Sequence, residues 1–190
     1  SIEEMRRDAT TVVVSSRECV EEETPRMRLY QALLRGSKMD LVIQAAVELG
    51  ASSVIPYACR RSLAAPDDLE RRLKRWRSVA LQASRVAGRA YLLEVKSPIE
   101  WKAMVHSTSR ADLALYADEE GGKKASQVLS GTRALEIALI VGPEGGFEEE
   151  ERAELRSSGA RPVTLGPYVL RAESAGAALL AAARCGCGLL

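Results

Sequence analysis

At 190 residues, 46% hydrophobic and 28% charged, the chain has the balance of a soluble globular protein of one domain, or one domain plus a fragment. A net charge of +1 rules out a bulk polycationic or polyanionic character, and at 4% aromatic residues the core falls to Ala, Leu and Val. The longest apolar run, Ala175 to Ala183, is far short of the roughly 20 residues of a membrane span, and the charged opening is not that of a secretory leader.

Residues 1–24 differ from the rest. Thr10-Thr11-Val12-Val13-Val14 is β-branched and reads as a strand, and the acids leading to Thr24-Pro25 read as a linker. Such a piece cannot fold alone, so it is expected to pack on the main domain or to belong to a small β domain that starts upstream. From Met27 onward strand and helix patterns alternate. An apolar run at 29–34 ends at Gly36. Ser37 is placed to cap a helix with Met39, Ile43, Ala46 and Leu49 at helical spacing, and Gly50 to end it. A strand at 53–56 leads to a long helix over 67–87. Then follow a strand at 91–95, a helix near 98–106 and a strand at 113–117. A buried strand at 134–141, a helix at 148–157, a strand at 162–165 and a last helix over 170–184 complete the chain. Repeated βα units predict an α/β domain with a mostly parallel sheet covered by helices.

In the 67–87 helix, Leu69, Leu73, Trp76, Ala80, Ala83 and Ala87 share one face. Arg71, Arg75, Ser78, Gln82, Arg85 and Arg89 share the opposite one. After Glu70 the polar stripe carries no acid, which suits phosphate contacts as well as it suits a solvated face. The wider distribution agrees: residues 24–96 hold 14 Lys and Arg against 6 acids, and residues 118–156 hold 5 against 10. One face built for a polyanion is the functional expectation. The four cysteines, Cys19, Cys59, Cys185 and Cys187, match no zinc spacing, and His106 is the only histidine. Free thiols in a reducing cytoplasm, with no metal, are expected.

The strand at 134–141 runs into Gly142-Pro143-Glu144-Gly145-Gly146 and then a helix. This puts backbone N–H groups at the end of a parallel strand, where open α/β sheets bind ligands. Neither the P-loop lysine nor the G-x-G-x-x-G spacing is present. Glu148, Glu149, Glu150 and Glu151 occupy the helix start and Glu144 the loop, so the expected ligand has no phosphate and some positive charge, as S-adenosylmethionine does. A tight turn needing glycine is the plain structural alternative. A second turn, Leu165-Gly166-Pro167, precedes Leu170 to Ser174 and a helix of small residues, suited to close packing within the chain or between subunits.

The run Leu139-Ile140-Val141-Gly142-Pro143-Glu144-Gly145-Gly146-Phe147, followed by Leu165-Gly166-Pro167-Tyr168-Val169-Leu170-Arg171-Ala172-Glu173-Ser174-Ala175, resembles the ribosomal RNA small subunit methyltransferase E family, the 16S rRNA uridine N3-methyltransferases of the SPOUT superfamily. Gly36-Ser37-Lys38-Met39-Asp40, Gln44, Glu48-Leu49-Gly50, Arg60-Arg61-Ser62, Trp76 and the segment from Gln82 to Arg85 extend the resemblance over residues 27–185. It implies a SPOUT-type parallel sheet with a C-terminal trefoil knot over residues 25–190, and in residues 1–24 the remnant of a PUA-like RNA-binding β-barrel. It implies a homodimer acting on 16S rRNA or the small ribosomal subunit. S-adenosylmethionine would lie on Gly142, Pro143, Glu144, Gly145, Gly146, Leu165, Gly166 and Leu170. Arg171 would stabilise charge on a uracil oxygen, and Glu173 would orient Arg171 or accept the N3 proton. Arg61, Arg71, Arg75, Gln82, Arg85 and Arg89 would meet RNA. The chain departs from the family at Tyr168, usually Arg, at Ala172 and Ser174, usually Thr, and at Leu81, usually Glu. A SPOUT enzyme with another target position, or an RNA-binding assembly factor without catalysis, are the alternatives.

Overall fold

The computed structural model describes residues 2–5, 10–17, 24–62 and 68–190, with the stretches 2–5 and 10–12 described by backbone alone. Cys19, the acidic stretch before Thr24, and Asp67 at the expected start of the long helix lie outside the described residues. Strand β1 (Ile2–Met5) pairs antiparallel with β2 (Thr10–Val12) as a two-stranded sheet of its own.

The main sheet begins with β3 (Arg26–Ala32), followed by α1 (Lys38–Glu48), β4 (Ser53–Ala58) and α2 (Leu69–Val86). Then come β5 (Glu94–Val95), β6 (Ile99–Glu100), α3 (Trp101–Thr108), β7 (Leu113–Ala117), β8 (Lys123–Lys124) and α4 (Ala125–Leu129). The last third supplies β9 (Glu136–Val141), α5 (Glu149–Ser157), β10 (Arg161–Thr164) and α6 (Ala172–Gly186). The strand order is β5-β4-β3-β9-β7-β10-β8, with β6 beside β4, and every pairing is parallel. The expected parallel α/β architecture is therefore what forms.

Parallel strands covered on both faces carry apolar side chains on both. Met27 and Leu29 of β3, with Ile137, Leu139 and Val141 of β9, join the core under α1, α2 and α6. Tyr30 and Ala32, with Ala138 and Ile140, join the opposite core with Met104 of α3 and Leu155 of α5. The buried face of α2 is Leu73, Trp76, Ala80 and Ala83, as its period predicts, but Ala87 lies beyond the helix and is exposed. Gly50 ends α1 in the left-handed region at φ 71°. Ser37 does stand at the N-cap of α1, yet its hydroxyl makes no cap hydrogen bond because its backbone (ψ 7°) is not in the extended conformation that aims a cap side chain. The strand expected over 91–95 shrinks to the two residues of β5, and β6, β8 and α4 carry too few residues to show a period.

The small residues of α6 serve packing within the chain. A Cβ at Gly176 would stand 3.2 Å from the Gln31 side chain of β3, and one at Gly186 2.6 Å from Leu129 of α4.

Candidate cofactor and RNA site

The three adjacent strands β9, β7 and β10 end side by side, and the chain leaves them at Gly142, Asp118 and Leu165. Their exit loops and the start of α6 enclose a cavity of about 440 Å³, within the range of small-molecule sites. Gly142, Pro143, Glu144, Gly146, Leu165, Gly166, Leu170, Arg171 and Glu173 all line it, so two segments far apart in sequence meet on one space. Gly145 is the exception among the expected cofactor residues. It faces away, with its carbonyl accepting a hydrogen bond from Arg61 Nη1 at 2.9 Å and the Arg61 side chain against its Cα hydrogens.

The glycines have local causes. A Cβ at Gly142 would stand 3.2 Å from the ring of Phe147, which is buried edge-on to Tyr116 with centroids 5.9 Å apart. Gly146 adopts φ 67° to close the turn with its N–H on the Pro143 carbonyl at 3.0 Å. A Cβ there would stand 2.6 Å from Glu119 Oε1.

The glutamates at the start of α5 fill its N-cap and first turn as expected, with a capping box between Glu148 and Glu151, and most of them also find basic partners. Glu148 pairs with Arg60 at 2.7 Å and Arg61 at 3.4 Å, and Glu149 pairs with Arg156. Glu151 is buried and accepts the backbone N–H of Glu148 at 2.9 Å and of Arg60 at 3.0 Å. Glu148 and Glu151 thus tie the start of α5 to the loop after β4, Glu149 pairs within α5, and none of the four lines the cavity. The same pairing crosses the chain's basic and acidic stretches: Arg28 meets Glu136 at 2.6 Å and Lys38 meets Glu144 at 3.0 Å. The asymmetry along the sequence partly cancels in the fold.

Inside the cavity, Lys38 Nζ lies 3.0 Å from Glu144 and 3.5 Å from Glu173 Oε2. The Glu144 carboxylate raises the lysine above its ordinary pKa. Burial works to raise Glu144, but its own N–H and Lys38 outweigh it and leave the carboxyl below the usual range. Glu173 Oε2 is buried without a hydrogen-bond partner among the described residues, its lysine neighbour being off hydrogen-bond geometry. Glu173 therefore does not orient Arg171: its ionic neighbour is Lys38, and Arg171 caps α6 by backbone and is exposed. On the far wall Arg152 and Asp118, both with side chains 6% exposed, pair at 3.2 Å, and Arg152 also reaches Glu120 at 2.9 Å. His106 is exposed on α3 and does not line the cavity.

The arginine stripe divides. Arg71 pairs with Asp68, and Arg75 donates to Asp40 of α1 at 2.9 Å. Arg89 turns inward and donates to the Ala51 carbonyl at 2.5 Å, which makes it a support for the α1–β4 turn. Gln82 and Arg85 point to solvent. Sequence reading missed Lys38, Asp118, Glu119, Phe147 and Arg152 as cavity residues. The strand expected at 113–117 held a usable signal, since loops after the carboxyl ends of parallel strands are where ligands sit.

The residues of the cavity fit a cofactor. An orphaned buried carboxylate oxygen on Glu173 suits a cationic group, Glu144 stands beside it, and glycine backbone leaves room where side chains would intrude. Among the described residues no cluster of His, Cys, Asp or Glu could hold a metal ion, and no helix is long and apolar enough to cross a membrane.

A family described as RNA methyltransferase domain matches residues 21–184. The chain is 30% identical to the ribosomal RNA small subunit methyltransferase E of Aquifex aeolicus over 148 residues, which are 77% of this chain and 63% of that relative; it thus spans under two thirds of the relative's length. It is similar to the Legionella pneumophila protein Lpg2936, solved in complex with the cofactor SAM, at 28% identity and TM-score 0.87 over 97% of this chain and 76% of that one. It is also similar to the ribosomal RNA small subunit methyltransferase E of Neisseria gonorrhoeae, solved with S-adenosyl methionine, at 28% identity and TM-score 0.79 over 88% and 69%.

Proposed function

The chain belongs to the RNA methyltransferase domain family, and from that premise we propose that it uses S-adenosylmethionine to methylate N3 of a uridine in 16S rRNA of the small ribosomal subunit. One observation carries the reading: the Gly142–Gly146 and Leu165–Leu170 loops close on a single cavity whose charged lining includes a carboxylate with an orphaned oxygen. When bound on these loops, S-adenosylmethionine would supply a methyl group on a positively charged sulfur, and that sulfur would keep the bonding pair when N3 takes the methyl.

The protein's share is positioning and charge. Gly142, Pro143, Glu144 and Gly146 on one side, and Leu165, Gly166 and Leu170 on the other, hold the donor, while Gly145 keeps the loop in place through Arg61. Glu173 is the proposed acceptor of the N3 proton, since its buried Oε2 accepts no hydrogen bond among the described residues and has the Lys38 ammonium 3.5 Å away as its ionic neighbour. Arg171, exposed at the start of α6, is proposed to meet a uracil oxygen as negative charge develops there. Of the stripe, Arg85 and Gln82 are retained as RNA contacts, with Arg71 and Arg75 available once they exchange their carboxylates for phosphate. Residues 25–190 form the proposed transfer unit. The family resemblance further supports a knotted C-terminal segment, a homodimer and a cytoplasmic setting beside the ribosome, with residues 1–24 as part of a PUA-like RNA-binding unit.

Calorimetric titration with S-adenosylmethionine, with ATP and NAD as controls, tests the donor site. Micromolar binding of S-adenosylmethionine alone is expected, followed by N3-methyluridine in hydrolysed 16S rRNA after incubation with small subunits lacking the mark. A methylated ribose in place of the base would assign another target position. Absence of cofactor binding in a folded sample would overturn the reading.

A further inference from the structure

We propose that Tyr168 is a stacking shelf for a nucleobase of single-stranded RNA at the mouth of the cavity, an inference that rests on the methyl-transfer reading above. The chain has five tyrosines, two tryptophans and one phenylalanine. Tyr30, Tyr57, Tyr116, Trp76 and Phe147 are at most 3% exposed. Trp101 is half-buried, donates to Glu154 and packs its ring near Tyr57 and Phe147, and Tyr91 is half-buried. Tyr168 alone is open, at 82%, and among the described residues it makes no hydrogen bond or ring contact.

Its place is not that of a chance surface residue. Tyr168 lines the cavity, and Val169 follows it at 75% exposure. The turn that presents it is held: Thr164 Oγ1 donates to the Gly166 carbonyl at 3.0 Å and accepts the Gly166 N–H at 3.4 Å, and Pro167 fixes the next φ. An aromatic side chain on a braced turn costs little entropy to use. Arg171 lies three residues on and is exposed on the same rim. Single-stranded RNA is recognised by splaying bases onto aromatic rings, and a base entering this cavity passes the loop that carries Tyr168.

The test compares the unsubstituted chain with Tyr168→Ala and Tyr168→Trp, using a short fluorescein-labelled oligouridylate. Tyr168→Ala is expected to raise the RNA Kd about tenfold, to leave S-adenosylmethionine affinity and molecular mass unchanged, and to be rescued by Tyr168→Trp. Unchanged RNA affinity in Tyr168→Ala, with the unsubstituted chain still binding RNA, overturns the shelf and leaves the methyl-transfer reading standing. A fall in molecular mass overturns it too, by assigning the ring to contact between copies. An unsubstituted chain that binds S-adenosylmethionine but no RNA overturns the RNA substrate itself, and the shelf with it.

Discussion

The ammonium group of Lys38 sits 3.0 Å from the Glu144 carboxylate and so fastens the first residue of α1 to the loop after β9. Lys38→Met frees that carboxylate and removes the cation beside Glu173. The S-adenosylmethionine Kd is expected to rise about fivefold, while Lys38→Arg keeps most of the affinity. Calorimetry on the two variants reads the difference.

Arg85 and Arg89 share a helical stripe in the sequence and part company in the fold. Arg85→Ala is expected to lower the slope of log K against log salt for RNA binding by about 1. Arg89→Ala removes the hydrogen bond to the Ala51 carbonyl and is expected to cost about 1 kcal/mol of stability. Salt titrations and urea melts of both variants separate the roles; equal salt slopes would return Arg89 to the RNA surface.

Arg152→Met leaves Asp118 buried without its partner. Such a break costs about 3 kcal/mol, and Arg152→Met with Asp118→Asn recovers part of it. Chemical denaturation of the single and double variants checks this: no recovery in the double variant would mean that the arginine's other contact, Glu120, carries the effect.

Burial pushes the Cys59 thiol up to about 11 from the ordinary 9.0, with the Glu151 carboxylate adding to it against the Ser62 hydrogen bond. Iodoacetamide at pH 8 is therefore expected to modify exposed Cys185 first and to reach Cys59 far more slowly. A thiol whose folded pKa is raised stabilises the fold fully below its unfolded pKa, so this contribution fades as pH rises from about 9 to about 11. Mass mapping of the alkylated peptides with time gives the order.

Gly146→Ala forces a left-handed φ on a residue with a Cβ and drives that carbon toward Glu119. About 1 kcal/mol of stability is expected to go, together with weakened S-adenosylmethionine binding. Glu119 can swing aside, so Gly146→Ala with Glu119→Ala is expected to regain affinity but not the backbone term.

The elements with a clear period were legible from residue order. The strands expected at 113–117 and 134–141 needed only a continuous apolar run and the apolar face of α2 only a 3.6-residue repeat, and residues of both glycine loops line one cavity. What residue order could not give was pairing across the sheet. That Glu151 satisfies the Arg60 N–H, that Glu173 faces Lys38 instead of Arg171, and that Arg89 turns inward all depend on segments 38 to 135 residues apart meeting in space. For the glutamate run, residue order showed the charge at the helix start but not that Arg60 and Arg61 of a distant loop pair with Glu148.

Strand β9 fills the middle of the sheet between β3 and β7, and it is among the last strands in the chain. A ribosome making this protein releases β3, β4 and β5 long before β9 emerges, and β7 waits with no strand partner until β9 and β10 arrive. The β3 edge that β9 will fill thus stays open through most of the synthesis of this sheet, and both edges of β7 for a shorter stretch, the condition under which chains stick to one another. Pairings across more than 100 residues also close slowly. Expression at high rate or high temperature should therefore favour inclusion bodies, and slowed translation or a chaperone that shields open edges should raise the soluble yield.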